Sequence, residues 1–233
     1  MNIDDLKLKT LGIDKNIFRT IYTFIDYGNV NYWYEKDQRD AKEIALQTNQ
    51  KLIVDIKKLA DFTSIFSEEK RFYYGWDNRK ASSWHIAIKA EQNGFIKKTK
   101  PIQFIKHFLG KEEAIKTEGV RIKENSSGRY IEIPKSNFDV EISVDAIRLL
   151  DRYNTFCLFS GDSDFTYLAS FLKKRKKKFI VVASGQVFHT LKELADLYVN
   201  AQLIKKYITS IKETAPLSGR GLDIGSRSAG QGS

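Results

Sequence analysis

Two aspartates separated by a single serine follow an apolar run in the second half of the chain. Residues 156–159 are wholly apolar, and Ser160 and Gly161 connect them to Asp162 and Asp164. Two carboxylates this close repel each other, so a protein keeps them together mainly where they share a cation or a proton. The pair therefore favours a divalent metal site, since capping of the following helix would need only one of them.

A second apolar run ends in the same way. Residues 21–25 are apolar or β-prone, and Asp26 follows them in a turn with Gly28 and Asn29. A short apolar run bounded by turn residues is typical of a strand buried on both faces. Ligands of open parallel sheets lie at the carboxyl ends of the strands, so we expect the two strands to pair and their aspartates to converge. Alone, Asp26 is equally well explained as a turn residue.

A third acidic motif contains Asp139 and Asp145 at the start of a predicted helix, residues 139–153. Six residues along a helix turn the side chain by about 120°, so these two aspartates are not expected to hold one ion together. A helix that returns over the sheet starts near the carboxyl ends of the strands, which favours Asp139. An ordinary helix N-cap explains Asp139 equally well.

The three motifs together resemble those of the NYN domain family, the LabA-like branch of the PIN-like nucleases. The resemblance covers roughly residues 20–205. It departs from the family at Ser136 and Asn137, where members commonly carry Lys-Gly before the middle acid. It implies a three-layer α/β/α sandwich and a metal-dependent ribonuclease that cuts RNA internally.

The resemblance also implies the site. Four aspartates are expected to hold Mg²⁺ or Mn²⁺ and to take part in catalysis: Asp26, Asp139, Asp162 and Asp164. Asp145 matches a second acid of the middle motif and is expected as an additional acid. Such an ion would lower the pKa of an attacking water, and either one ion or two would suit this reaction.

Two polar residues beside these acids are candidates for substrate binding. Asn29 suits a contact to a phosphate or to a ligand carboxylate, although an Asx turn or an N-cap explains it nearly as well. The Ser163 hydroxyl either contacts the substrate or caps the following helix.

Aromatic and basic residues supply further candidates for RNA binding. Tyr27 is expected to stack on an unpaired base, and Tyr32 and Trp33 share this potential. Lys97 and Arg121 are expected at the edge of the site, where they would contact phosphates. Packing in the core or at its rim explains each of these residues at least as well.

Composition agrees with an anionic partner. The net charge is +10, which favours association with an anion. A basic run at residues 173–178 is expected at the end of the sheet opposite the acids, so it is not expected to be the main contact with the substrate. Cys157 is the single cysteine and lies in a predicted core strand, which suits a reducing cytoplasm. No apolar run reaches the length of a membrane span, and the first residues lack a signal-peptide pattern.

The predicted elements favour an α/β fold with a mostly parallel central sheet. Residues 1–20 are predicted as an N-terminal arm or helix, and residues 21–212 as the domain. A β-hairpin insertion is expected at about 100–135, and a disordered tail at 213–233. In the first half of the chain the patterns predict a helical stretch after Asn29 to about residue 60, a strand at 71–75, a helix over 84–92 capped by Ser82 or Ser83, and a strand at 95–99. In the second half they predict a strand at 179–183 and a helix over 190–199.

Two other functions fit the same residues. An RNA-binding or adaptor module would keep the fold without turnover, and a phosphohydrolase would act on small phosphate esters. The chain lacks a Gly-rich phosphate loop, which argues against an NTPase. A homodimer is compatible with the sequence, although no pattern predicts one.

Overall fold

The protein is built on a central sheet of parallel strands. The computed structural model describes residues 2–110, 122–185 and 187–214. In chain order the strands are β1 (Ile21–Asp26), β2 (Gln50–Val54), β3 (Glu69–Trp76), β4 (Ile96–Pro101), β5 (Gln103–Phe108), β6 (Lys123–Asn125), β7 (Gly128–Lys135), β8 (Thr155–Phe159), β9 (Lys178–Ala183), β10 (Leu197–Asn200) and β11 (Thr209–Glu213).

Helices cover both faces of this sheet. In chain order they are α1 (Ile3–Leu11), α2 (Lys15–Phe18), α3 (Tyr27–Val30), α4 (Ile56–Ser64), α5 (Ala81–Gln92), α6 (Asp139–Arg148), α7 (Thr166–Lys174), α8 (His189–Leu194) and α9 (Lys205–Ile208). Among the described residues, no helix combines the length and apolar character needed to cross a bilayer.

The order of strands in the six-stranded sheet is β10-β9-β8-β1-β3-β4, and every pair is parallel. The chain therefore continues to one side after β1, whereas β8 to β10 extend the sheet on the other side. Ligands of open α/β sheets bind at such a switch point, beyond the carboxyl ends of the strands. Since Ile25 pairs with Phe159, the residues after β1 and β8 are neighbours there.

Alternating strand residues build two separate cores, one on each face of the sheet. Ile25 of β1 belongs to the core that α1, α2, α4 and α5 cover, with Leu59 of α4 fully buried in it. Phe24, the preceding residue, belongs to the core beneath α6, α7 and α8, which includes Ile142 and Leu168. The predicted α/β/α layers and parallel sheet are thus confirmed. Leu8 and Leu11 of α1 are buried in the first core, so the N-terminal helices pack on the domain.

The helical prediction for residues up to 60 is wrong in its central part. Residues 50–54 form β2, which pairs antiparallel with β11 in a two-stranded ribbon. Leu52 and Val54 are buried and Ile53 is less so, which is the two-residue period of a strand. The helix α4 begins only after Asp55, whose carboxylate accepts a hydrogen bond from the Lys58 backbone at 3.1 Å.

The helix predicted over residues 190–199 is also partly wrong, because α8 ends at Leu194 and residues 197–200 form the edge strand β10. The side chain of Asp196 accepts a hydrogen bond from the backbone N–H of Phe179 at 2.9 Å, which joins this segment to β9. At the other edge, α5 begins at Ala81, and the Ser83 hydroxyl accepts from the Asp77 backbone instead of capping the helix.

The predicted hairpin is confirmed as β6 and β7, joined by a turn at Ser126 and Ser127. Strand β5 pairs with the other side of β7 and completes a three-stranded antiparallel sheet. Arg121 lies outside the described residues, as does the predicted tail beyond residue 214, so their roles stay predictions.

Candidate metal centre and its cleft

Three aspartates from two segments meet at the carboxyl ends of β1 and β8. Asp139 is the first residue of α6, and Asp162 and Asp164 follow β8. One carboxylate oxygen from each lies within 4.8 Å of the others. Asp139 and Asp162 are partly buried, whereas Asp164 is exposed. These three residues are called the aspartate cluster below.

Local hydrogen bonds fix the direction of the cluster. The Asp162 carboxylate accepts the backbone N–H of Asp164 at 3.1 Å, and its own N–H donates to the Ser160 hydroxyl at 3.3 Å. The backbone N–H of Asp139 donates to the Asn137 side chain at 2.8 Å. The N-cap position of α6 is Phe138 rather than Asp139, so the Asp139 carboxylate is not used to cap this helix.

Asp26 lies next to the cluster but is engaged differently. Its Oδ2 atom accepts a hydrogen bond from the Ser160 hydroxyl at 3.2 Å, and the Asn29 backbone N–H is a further donor. Burial raises the pKa of Asp26 to about 6; the Ser160 hydrogen bond acts against this rise, and the charges of Asp139 and Asp162 add to it. Asp26 is therefore a partly buried acid whose pKa lies near 6, next to two other carboxylates.

Burial also raises the pKa of Asp139. The hydrogen bond with Asn137 opposes that shift, and the nearby charges of Asp162 and Asp164 reinforce it. The lysines of the adjacent edge strand do not relieve this repulsion, since Lys98 faces Asp145 and Lys100 pairs with Glu141. A concentration of negative charge with this oxygen-only donor set suits a hard divalent cation.

Asp145 lies elsewhere. Its Oδ2 accepts hydrogen bonds from Arg71 at 3.0 Å and from the Tyr73 hydroxyl at 2.9 Å, in a buried network between α6 and β3. The expectation that Asp145 adds an acid to the site is not supported, because its carboxylate pairs with Arg71 and accepts a hydrogen bond from Tyr73 within the fold. Helix geometry alone predicts that Asp145 and Asp139 do not hold one ion, but nothing in the local sequence indicates the pairing of Asp145 with Arg71.

Two of the expected substrate-binding residues are turned away from the cluster. Tyr27 is 3% exposed and packs on Phe72 with ring centroids 4.5 Å apart, so it is a core residue and cannot stack on a base. Lys97 pairs with Glu91 of α5 at 2.6 Å, on the face of the sheet opposite α6. Because successive side chains along a strand point to opposite faces of the sheet, the position of Lys97 in β4 fixes the face on which its side chain lies.

The other two expected contacts stay near the site. The Asn29 side chain accepts a hydrogen bond from the Trp33 indole at 2.8 Å, while its backbone serves Asp26. Ser163 is exposed beside Asp162 in a cavity of about 560 Å³ that Gly161 and Val187 also line. Asn29 thus holds the turn after β1, and the exposed Ser163 lies beside the aspartate cluster.

A cleft of about 770 Å³ opens in front of Asp26, Asp139 and Asp162. Its floor includes Gly75 and Ser136, which pack so closely that a Cβ on Gly75 would come 2.1 Å from the Ser136 Oγ. Within the described residues, that Oγ is buried without a hydrogen-bond partner. The sequence marks Ser136 only as a departure from the family, and it does not mark Gly75, which lies one residue before the end of β3, as part of the site.

The described residues resemble two known proteins over part of their length. LabA of Synechococcus elongatus, the low amplitude and bright protein, is 28% identical over 94 residues, 40% of this chain and 50% of LabA. The chain thus matches about half the length of this relative. A crystal structure of a Vibrio parahaemolyticus protein of unknown function superimposes with a TM-score of 0.53 at 20% identity, over 78% of this chain and 92% of that one.

A profile of the NYN domain matches residues 20–202. The LabA match supports the LabA-like branch that the motifs predicted, and the Vibrio protein shows the same fold. Because the profile runs from the start of β1 to beyond β10, it takes in the whole six-stranded sheet and all the aspartates at its edge, and the chain belongs to the NYN domain family.

Proposed function

We propose that the protein is a metal-dependent ribonuclease that hydrolyses phosphodiester bonds within RNA chains. The observation that carries this proposal is the approach of three carboxylates to within 4.8 Å of one another, at the switch point of a NYN-family sheet. The carboxylates of Asp139, Asp162 and Asp164 would hold Mg²⁺ or Mn²⁺, since oxygen donors suit these ions. When bound, such an ion supplies positive charge to a phosphate and lowers the pKa of water.

The chain's own groups would orient the reaction. Asp26 is held by Ser160 and Asn29 rather than by the other carboxylates, and its pKa of about 6 suits a group that accepts a proton near neutral pH. We assign to it the positioning of the attacking water, with the open cleft receiving the phosphodiester. Asp26 is not among the three aspartates whose carboxylate oxygens lie within 4.8 Å of one another, so it is assigned this role and not that of a ligand. In this proposal the enzyme works in the reducing cytoplasm, where its single buried cysteine stays a thiol.

The test compares wild type with Asp162→Asn on a labelled RNA oligonucleotide in Mg²⁺. We expect wild type to cut the RNA internally, EDTA to stop the reaction, and the variant to be at least 100-fold slower, in line with the loss of a group that acts on the transition state. The cleavage rate of Asp164→Asn should lie between those of wild type and Asp162→Asn, because Asp164 is exposed. Asp151→Asn, an exposed site in the turn after α6, is the control and should cut normally.

An RNA-binding adaptor of the same fold is the alternative. The observation that favours it is the pair Ser136 and Asn137 in the place of the family's Lys-Gly. An adaptor would bind the oligonucleotide and leave it whole under every metal condition. Cleavage of a chromogenic phosphate ester with indifference to RNA would instead indicate a small-molecule phosphohydrolase.

A further inference from the structure

The cleft at the aspartate cluster does not end there. A second cavity of about 410 Å³ adjoins it on the side of α3 and α5. The two cavities share the same wall, formed by Tyr27, Asn31, Tyr32, Ile86 and Lys212. The two cavities therefore lie side by side, and together they extend from the aspartates to the β2–β11 ribbon. The part beyond the shared wall is called the distal groove, and its polar side chains are those of Glu35, Lys51, Asp55, His85 and Lys89, together with Tyr32 and Lys212.

Three lysines line the distal groove against two acids, Glu35 and Asp55, and Asp55 lies close enough to Lys89 to interact with its charge. Lys51 of β2 and Lys212 of β11 are directly opposite each other in the antiparallel ribbon, and both are exposed. Like charges at facing positions of a ribbon are destabilising. Across the described residues, no ion pair relieves either lysine. The carboxylate of Asp55 is already bonded to the Lys58 backbone and to the Ser210 hydroxyl. Phosphates that pair with these lysines would relieve their repulsion.

An exposed aromatic ring stands on the shared wall. Tyr32 is 60% exposed and follows α3, whose first residue comes directly after Asp26. Its backbone N–H bonds to the Asn29 carbonyl at 3.2 Å, so the ring is carried by the same turn that holds Asp26. An accessible ring between an acidic centre and a row of lysines suits a chain that alternates flat bases and phosphates.

We propose that the distal groove binds single-stranded RNA, with Tyr32 stacking on a base and Lys51, Lys89 and Lys212 contacting successive phosphates. This inference rests on the proposed function for the RNA itself and adds the path that the strand takes away from the metal centre. Stacking on Tyr32 needs an unpaired base, which selects single strands over duplexes. The longest basic run, residues 173–178, is excluded as the path because α7 carries it to the start of β9, at the opposite edge of the sheet.

The test measures binding without catalysis. A labelled 12-nucleotide oligouridine is titrated in EDTA at several salt concentrations, and fluorescence anisotropy gives the affinity. For Lys51→Gln with Lys212→Gln, we expect the salt slope to fall by about 1.4 and the affinity to fall roughly 25-fold at 0.1 M salt, because each phosphate contact on a single strand contributes about 0.7 to the slope. Lys173→Gln with Lys174→Gln removes the same charge at the far edge and should leave both quantities nearly unchanged.

Tyr32 has its own arm of the test. Tyr32→Ala should weaken binding roughly 5- to 100-fold with an unchanged salt slope, as expected for the loss of one stacked base, while Tyr32→Phe should bind like wild type. A duplex of the same length should not respond to Tyr32→Ala. The inference is overturned if the two lysine pairs have equal effects, if the groove variant keeps the wild-type slope, or if duplex and single strand respond alike.

The outcomes separate this inference from the proposed function. If the groove lysines control binding but RNA is never cut in Mg²⁺ or Mn²⁺, the groove stands and the nuclease proposal falls. If RNA is cut but the affinity for RNA does not change when the groove lysines are replaced, the nuclease proposal stands and the groove inference falls.

Discussion

The Ser160 hydroxyl donates a hydrogen bond to the Asp26 carboxylate across two neighbouring parallel strands, at 3.2 Å. The two residues are 134 positions apart in the chain. Their pairing holds a partly buried acid at the switch point of the sheet, where the charges of Asp139 and Asp162 act on it. The fold therefore holds like charges together at the point where a ligand would neutralise them, and such a site costs stability while it is empty.

Asp26→Asn should stabilise the metal-free protein at neutral pH. The pKa of Asp26 is raised from 3.8 to about 6, so the folded state binds its proton more tightly than the unfolded state does. Below pH 4 both states are protonated and the substitution should be nearly neutral. As pH rises through 6, the wild type loses up to about 3 kcal/mol that the variant keeps, at about 1.4 kcal/mol per pKa unit. Urea unfolding in EDTA at pH 4 and pH 7.5 measures both free energies. A variant less stable than wild type at pH 7.5 would contradict the account of Asp26.

Asp139→Asn and Asp145→Asn should act in opposite ways, although both residues lie on α6. Asp145→Asn removes one of the two carboxylates that pair with the buried Arg71 guanidinium. It should lower the free energy of unfolding by about 2 kcal/mol, since Glu69 still pairs with that arginine. Asp139→Asn removes one of several repelling carboxylates and should not destabilise the metal-free protein. Thermal unfolding with and without Mn²⁺ checks this, because stabilisation by the ion should persist in Asp145→Asn and disappear in Asp139→Asn. Equal metal responses would place the metal away from Asp139.

Lys51→Gln should raise stability slightly while it weakens RNA binding. The substitution removes a like-charge contact with Lys212, so we expect a gain of about 0.2–1 kcal/mol at low salt. The gain should shrink as salt screens the charges. Lys173→Gln serves as the control for general charge reduction, because that lysine is exposed and lies in the last turn of α7. A loss of stability in Lys51→Gln would show that the lysine has a structural partner.

Gly75→Ala should be destabilising, and a second substitution should rescue it. A Cβ at residue 75 would lie 2.1 Å from the Ser136 Oγ, so the chain must shift, at a cost of about 1–3 kcal/mol. Ser136→Gly removes the obstructing side chain, and the double variant should recover most of the loss. A contact with Ile102 at 3.1 Å remains and limits the recovery. Chemical denaturation of the four proteins gives the interaction free energy, and strict additivity would contradict this packing.

The local patterns predicted β1, β8 and β9 well because these strands are short, mostly apolar and followed by turn residues. Strand β8 is buried at every position, which is what its sequence indicates. Strands β2 and β10 were missed for a different reason. Leu52 and Val54 fit a helix as well as a strand until β11 is seen beside them, and that partner comes from the far end of the chain. Non-local pairing of this kind leaves little trace in a local window.

The acids of the site were predictable from motif order, whereas the side chains around them were not. Asp139 and Asp162 come together because a helix start and a strand end lie at the same edge of the sheet. Whether Lys97 faces α5 or α6 depends on strand register by a single residue, and the sequence has basic residues at both phases. For Tyr27 and Tyr32 the sequence leaves base stacking and core packing open, and the structure separates them, since Tyr27 is buried and Tyr32 is exposed.

The most direct test of the central claim is anomalous diffraction from a crystal soaked in Mn²⁺. The account predicts a manganese peak among the carboxylates of Asp139, Asp162 and Asp164, at roughly 2.1 Å from their oxygens. The peak should be missing from Asp162→Asn crystals treated in the same way. Manganese bound only elsewhere on the protein, or no peak at millimolar concentration, would contradict a metal centre at these aspartates.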